Sequence, residues 1–146
     1  MKDDPNFDGL WSLGRFYAED GPALVRFRPR PSDRFVRMWP KQFVVEWRLE
    51  RSRSAEDRDK DPAWSAFEKE LVRALERGNQ ACLAFVVTAS QYREWYFYCG
   101  DLLEMQGRFN REVARRRDLP VSLHVGDDPH WDVYDEFVGP FLPGRA

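Results

Sequence analysis

Phe43, Val45, Trp47 and Leu49 alternate with Gln42, Val44, Glu46, Arg48 and Glu50, a period of two that predicts a half-buried β-strand. Upstream the signal is weaker. Pro5, Gly9, Gly14, Gly21, Pro22, Pro29, Pro31 and Pro40 break residues 1–40 into short pieces, which read as an irregular extension. Within it, Leu24 to Arg28 alternates and predicts a short strand. Phe35 to Trp39 reads as a second attempt stopped by Pro40, so a hairpin or an edge strand is expected. Downstream, Arg51 to Pro62 is almost wholly charged or polar and reads as a solvated loop.

Asp61-Pro62 is a helix start, with Asp able to accept backbone N–H groups and Pro suited to the first turn. Trp64, Phe67, Leu71, Ala74 and Leu75 follow at helical spacing, and Gly78-Asn79 closes the element. Ala81 to Ala89 is apolar almost throughout, as in a strand covered on both faces. After a turn at Ser90 to Tyr92, Trp95, Phe97 and Cys99 share one strand face, while Glu94, Tyr96 and Tyr98 share the other. Asp101 caps a second helix with Leu102, Met105, Phe109 and Val113 on one stripe, running to Arg115, Arg116 and Arg117 where cations suit the helix dipole. Val121, Leu123 and Val125 mark a last strand. Asp127-Asp128-Pro129 then repeats the Asp-Pro start for a short terminal helix with Trp131, Tyr134 and Phe137.

The order strand, helix, strand, strand, helix, strand predicts an α+β fold, a ferredoxin-like βαββαβ sandwich, with an N-terminal extension and a short C-terminal helix. One domain is expected over 1–146, with its core at 41–138 and a tail at 139–146. Both long helices would cover one face. The other would show Val44, Glu46, Arg48, Glu94, Tyr96, Tyr98, Ser122 and His124, unless the N-terminal hairpin or the terminal helix covers part of it.

Composition narrows the class. With 42% hydrophobic and 15% aromatic residues, the chain of 146 has enough apolar surface to exclude disorder. No apolar run reaches the roughly 18 residues of a spanning helix, and the first residues carry no signal-peptide pattern, so a soluble, cytoplasmic protein is expected. Cys82 and Cys99 form no C-x-x-C pattern. They read as buried free thiols, with a regulatory disulfide between neighbouring strands as the alternative. The formal charge of -2 hides a +4 segment at Leu24 to Trp39 and a −4 segment at Val121 to Ala146. These two segments either steer partners or neutralise each other in the fold.

Candidate chemistry is sparse. Asp127, Asp128, His130 and Asp132 cluster where a strand feeds a helix, which suits a hard metal or acid–base chemistry, but helix capping accounts for an Asp-Pro start without either. The chain has no nucleophile elbow, zinc signature or phosphate-binding glycine loop, so neither cofactor nor metal is expected and an enzyme would need a site built from scattered residues. Tyr96 and Tyr98 lie on the third strand of the βαββαβ order, where RNA-recognition motifs stack bases. The motif's glycines are missing and the balance is slightly acidic, which favours packing under the terminal elements over single-stranded RNA. Arg26 and Arg28, in the basic segment, read as a solvated edge or as a docking surface for an acidic partner.

Taken together, the strands Phe43 to Arg48, Leu83 to Thr88 and Arg93 to Tyr98, the helix end Leu75-Glu76-Arg77 and the closing Asp127-Asp128-Pro129 with Trp131 and Tyr134 resemble the bacterial "domain of unknown function 695" family. More remotely the chain is similar to the regulator of ribonuclease activity B family, inhibitors of ribonuclease E. The resemblance implies a ferredoxin-like fold and a protein-binding, inhibitory role, and supplies no catalytic residues. The expectation is a non-enzymatic protein-binding module, either an inhibitor of a ribonuclease or an immunity protein that neutralises a toxin. Its expected contact residues are Asp128, Trp131, Asp132, Asp135, Glu136, Tyr96, Tyr98, Arg26 and Arg28.

Overall fold

The computed structural model describes residues 11–49, 53–115 and 118–142. Among them the chain forms an α+β fold. Its strands are β1 (Ser12–Ala18), β2 (Gly21–Phe27), β3 (Lys41–Arg48), β4 (Ala81–Thr88), β5 (Tyr92–Cys99) and β6 (Val121–Asp127). Five α-helices accompany them: α1 (Asp33–Met38), α2 (Ala55–Asp59), α3 (Pro62–Leu75), α4 (Leu102–Arg108) and α5 (Asp132–Val138). The strands make one antiparallel sheet in the order β1-β2-β4-β5-β3-β6.

Side chains alternate across a strand, so each face of this sheet gathers its own core. On one face, Phe43, Val45, Trp95 and Phe97 pack with Trp64, Phe67 and Leu71 of α3 and Met105 of α4. On the other, Val44, Phe85, Tyr96 and Tyr98 pack with Phe35 and Trp39 from α1 and its end, and with Trp131, Tyr134 and Val138 from α5 and its approach. The central strand β4 is buried along its whole length, as its unbroken apolar run predicts. α3 starts as expected, with Asp61 accepting from the Ala63 N–H at 2.9 Å and Pro62 in the first turn. It ends before Gly78, whose φ of 71 lies in the left-handed region that glycine adopts at little cost.

Several expectations are corrected. The hairpin is longer than Leu24 to Arg28: it joins β1 to β2 through Glu19-Asp20, closed by the pair Ala18–Gly21. Phe35 to Trp39 is helical, because Phe35, Val36 and Trp39 recur at i, i+1 and i+4, which buries all three on one helix face. The polar stretch 51–62 contains α2, where Ser54 accepts from the Asp57 N–H at 3.1 Å and Ala55 and Arg58 turn inward. Glu50 and residues 51–52 of that stretch lie outside the described residues. The second helix gives way to a π-helical stretch at Phe109–Ala114, and Arg115 leaves helical geometry; Arg116 and Arg117 fall outside the described residues. The terminal helix begins at Asp132, not at Pro129.

Arg93 shows how α2 is tied to the sheet. Its guanidinium is buried, donates to Thr88 Oγ1 at 2.9 Å and to Asp59 Oδ1 at 3.1 Å, and lies over the Trp64 ring. Burial lowers its pKa to about 10. Cys82 and Cys99 neighbour each other across β4 and β5, yet they pack in opposite cores: Cys99 aligns with Ala81, and Cys82 with Tyr98. The sheet therefore holds the two thiols apart, and both are free.

Candidate functional site

The corner where β6 turns into α5 gathers most of the residues singled out from the sequence. The Asp128 carboxylate is buried there. It accepts from the Tyr98 O–H at 2.6 Å, the Asp132 N–H at 2.8 Å and the Val133 N–H at 3.0 Å. Asp128 thus caps α5 from four residues before its start, and its own N–H donates to the Pro40 carbonyl at 2.9 Å. The three intervening residues form the turn that the Asp-Pro start hides. Trp131 sits in it with φ 58, a left-handed conformation unfavourable for a bulky side chain. Its ring is held from two directions: it stacks on Tyr98 with centroids 4.0 Å apart, and Nε1 donates to the Trp39 carbonyl at 3.0 Å.

Tyr98 is the hub of this corner. Its hydroxyl donates to Asp128 while accepting from the Tyr134 N–H at 3.1 Å and from Gln42 Nε2 at 3.2 Å. Burial, and then the Asp128 carboxylate, push the phenol well above its ordinary range, so it stays protonated. Tyr134 anchors α5 to the hairpin by donating to the Arg28 carbonyl at 2.6 Å. Tyr96 stacks on Phe85 with centroids 4.2 Å apart and touches Phe137. Neither tyrosine presents a free ring face, because residues of this chain fill both positions.

Four expected contact residues, Asp128, Trp131, Tyr96 and Tyr98, are therefore interior residues. Packing under the terminal elements, one of the two readings of Tyr96 and Tyr98, is what the structure contains. Arg26 and Arg28 point to the opposite face of the sheet. Arg26 pairs with Glu68 of α3, Arg28 with Glu76 at 2.9 Å, and both guanidinium groups lie over the Trp11 ring. Arg30 of the basic segment reaches the acidic end, at 3.4 Å from Asp135 Oδ1.

The remaining residues form a surface. Asp132 and Glu136 stand one turn apart on α5, exposed, with no cationic partner among the described residues. Asp127 pairs with Lys41 at 2.6 Å. His130 is exposed and Asp128 points inward, so the Asp/His cluster of the sequence is not brought to one point. Among the described residues, no three of His, Cys, Asp and Glu could hold a metal ion together.

One polar group was not legible as a unit. Glu46 of β3 and Glu94 of β5 are opposite each other in register, and His124 Nε2 lies 2.9 Å from Glu46 Oε1. Burial raises Glu46, but hydrogen bonds to His124 and Arg48 outweigh it and leave its pKa below the ordinary value. Glu94 goes the other way: burial raises it, against a hydrogen bond from Tyr96, and the Glu46 charge adds to the rise. Two carboxylates in register are thus displaced in opposite directions by their surroundings. Strand register is the signal that brings them together, and it cannot be read from a single strand.

No curated protein matches the chain. A family model described as "Family of unknown function (DUF695)" matches residues 11–138. That span takes in every strand from β1 to β6 and ends at Val138, the last residue of α5, so the chain belongs to the family of unknown function DUF695.

Proposed function

We propose that this protein is a non-enzymatic, cytoplasmic regulatory module that binds another protein, as an inhibitor or a toxin-neutralising immunity protein. It engages a basic partner through the outer face of α5. The observation that carries the reading is the pair Asp132 and Glu136. Both are exposed at i and i+4 on a helix whose other side is fixed by Tyr134 and Val138, and no basic side chain of the described residues neutralises them. The first-turn position of Asp132 suits the helix dipole, but the like charge of Glu136 one turn on disfavours the helix slightly, which a basic partner would offset. A patch of one sign on a rigid support speeds encounter with the opposite sign and selects against other partners.

The charge asymmetry supports the same reading, since Arg26 and Arg28 pair with Glu68 and Glu76 and do not cancel the acidic end. We also read residues 41–138 as the ferredoxin-like βαββαβ sandwich. The spatial order β6-β3-β5-β4, with α3 between β3 and β4 and α4 between β5 and β6, supports this.

The test compares capture of partners from native lysate by the immobilised wild-type chain and by Asp132→Lys/Glu136→Lys. A stoichiometric partner, retained by the wild type and lost from the variant and at raised salt, is the expected outcome. Equal retention of the same partner by both chains sinks the proposal.

A further inference from the structure

A cleft of about 550 Å³ opens between α1 and the turn that leads from β6 to α5. Val36, Pro40 and Pro129 form its apolar walls, and Arg30, Arg37 and His130 stand around it, with Asp33 as the single acidic lining residue. That volume falls within the roughly 300–1,000 Å³ typical of small-molecule sites, which pair apolar walls with a few placed polar groups.

Both walls are fixed before any ligand arrives. α1 is pinned through Phe35, Val36 and Trp39, and Trp39 Nε1 donates to the Asn79 carbonyl at 3.0 Å. The opposite wall is pinned by the Asp128 N–H on the Pro40 carbonyl, by Trp131 Nε1 on the Trp39 carbonyl, and by the rigid rings of Pro40 and Pro129. Such walls lose little freedom when a ligand enters.

Two guanidinium groups stand at the cleft, and they differ in how far they are engaged. Arg30 lines the cleft, its guanidinium donating to the His130 carbonyl at 3.1 Å and, at the longer 3.4 Å, to Asp135 Oδ1. Arg37 has no carboxylate partner among the described residues, although Asp33 sits one helical turn away. A guanidinium presents a planar fork of donors that matches the paired oxygens of carboxylate or phosphate.

We propose that this cleft binds a small organic anion, a carboxylate or phosphate group carried on an apolar body, with the oxyanion on Arg37 and Arg30 and the body against Val36, Pro40 and Pro129. The site uses neither Asp132 nor Glu136, so it stands or falls apart from the partner surface on α5.

Isothermal titration of the full chain with phenyl phosphate, benzoate and inorganic phosphate tests it. Phenyl phosphate or benzoate binds at least about 10-fold more tightly than inorganic phosphate, because only the organic anions use the apolar walls. The stronger of the two organic probes identifies the head group. Arg37→Gln, a surface change with unaltered urea stability, weakens binding about 5-fold or more. Asp33→Asn strengthens it, since it removes the one negative charge of the lining. No heat from either organic anion at 10 mM probe, as an upper limit on the order of weak millimolar binding, overturns the proposal. So does unchanged affinity in Arg37→Gln, or inorganic phosphate binding as well as phenyl phosphate.

Discussion

Removing the Asp128 carboxylate tests whether the corner holds α5 as described. Asp128→Ala deletes an acceptor for the Tyr98 O–H at 2.6 Å and for the Asp132 and Val133 N–H groups at 2.8 and 3.0 Å. Loss of a helix cap costs about 1 kcal/mol. A buried hydroxyl deprived of its charged acceptor adds about 1.5–3 kcal/mol, because Asp128 and Tyr98 are shielded from water. The expected sum is about 2.5–4 kcal/mol, a large share of the roughly 5–15 kcal/mol available to a domain. Tyr98→Phe keeps the stack on Trp131 but orphans the Tyr134 N–H, and costs about 1.5–2.5 kcal/mol. Because the two side chains share one bond, the double variant loses about 1 kcal/mol less than the two singles together. Urea unfolding followed by tryptophan fluorescence supplies all four stabilities. An Asp128→Ala loss below about 1 kcal/mol, or strict additivity of the pair, refutes the reasoning.

Burial raises the Cys82 and Cys99 thiols from the ordinary 9.0 to about 12, so above pH 9 the native chain holds protons that the unfolded chain releases. Stability therefore falls between pH 9 and 12, by at most about 1.4 kcal/mol per pH unit per thiol, and Cys82→Ala/Cys99→Ala flattens the urea-midpoint profile; equal slopes count against it. Glu94→Gln removes a charge opposite Glu46 while still accepting from Tyr96, and stabilises by about 0.5–1 kcal/mol at pH 7. Since the folded carboxyl is raised, that gain shrinks on lowering to pH 4, where wild-type Glu94 is protonated; a pH-independent gain speaks for packing instead. In Gly14→Ala the new Cβ lies 2.7 Å from the Phe141 ring, costing about 1–3 kcal/mol in calorimetry, and Phe141→Leu restores part of it. If Phe141→Leu restores none, the clash is not the cause.

Legibility in the sequence followed burial. β3 and β4 are inner strands and α3 lays one face on the core, so their inward positions are apolar and their patterns matched the structure. β1 lies at the sheet edge, with Leu13 at 52% and Tyr17 at 85% exposure, so apolar residues stand where polar ones are expected and the alternation disappears. α1 and α2 are too short for a period to separate helix from strand or loop. In the candidate site, the sequence pointed to Asp128 and Trp131 but misplaced their work. An Asp-Pro pair reads as a cap at the next residue, whereas a left-handed Trp131, held by Tyr98 and Trp39, delays the helix to Asp132. Contacts spanning thirty residues or more leave no local trace.

The covering of the second sheet face by α5 also has a temporal side. Phe85, Tyr96 and Tyr98 are made well before Trp131, Tyr134 and Phe137, the residues that cover them. At synthesis rates of about 5–20 residues per second, the ribosome leaves that aromatic surface uncovered for seconds after β5 has emerged. Until α5 emerges, that face is closed only in part, by α1, and the nascent chain presents an aromatic surface to which other unfolded chains can adhere.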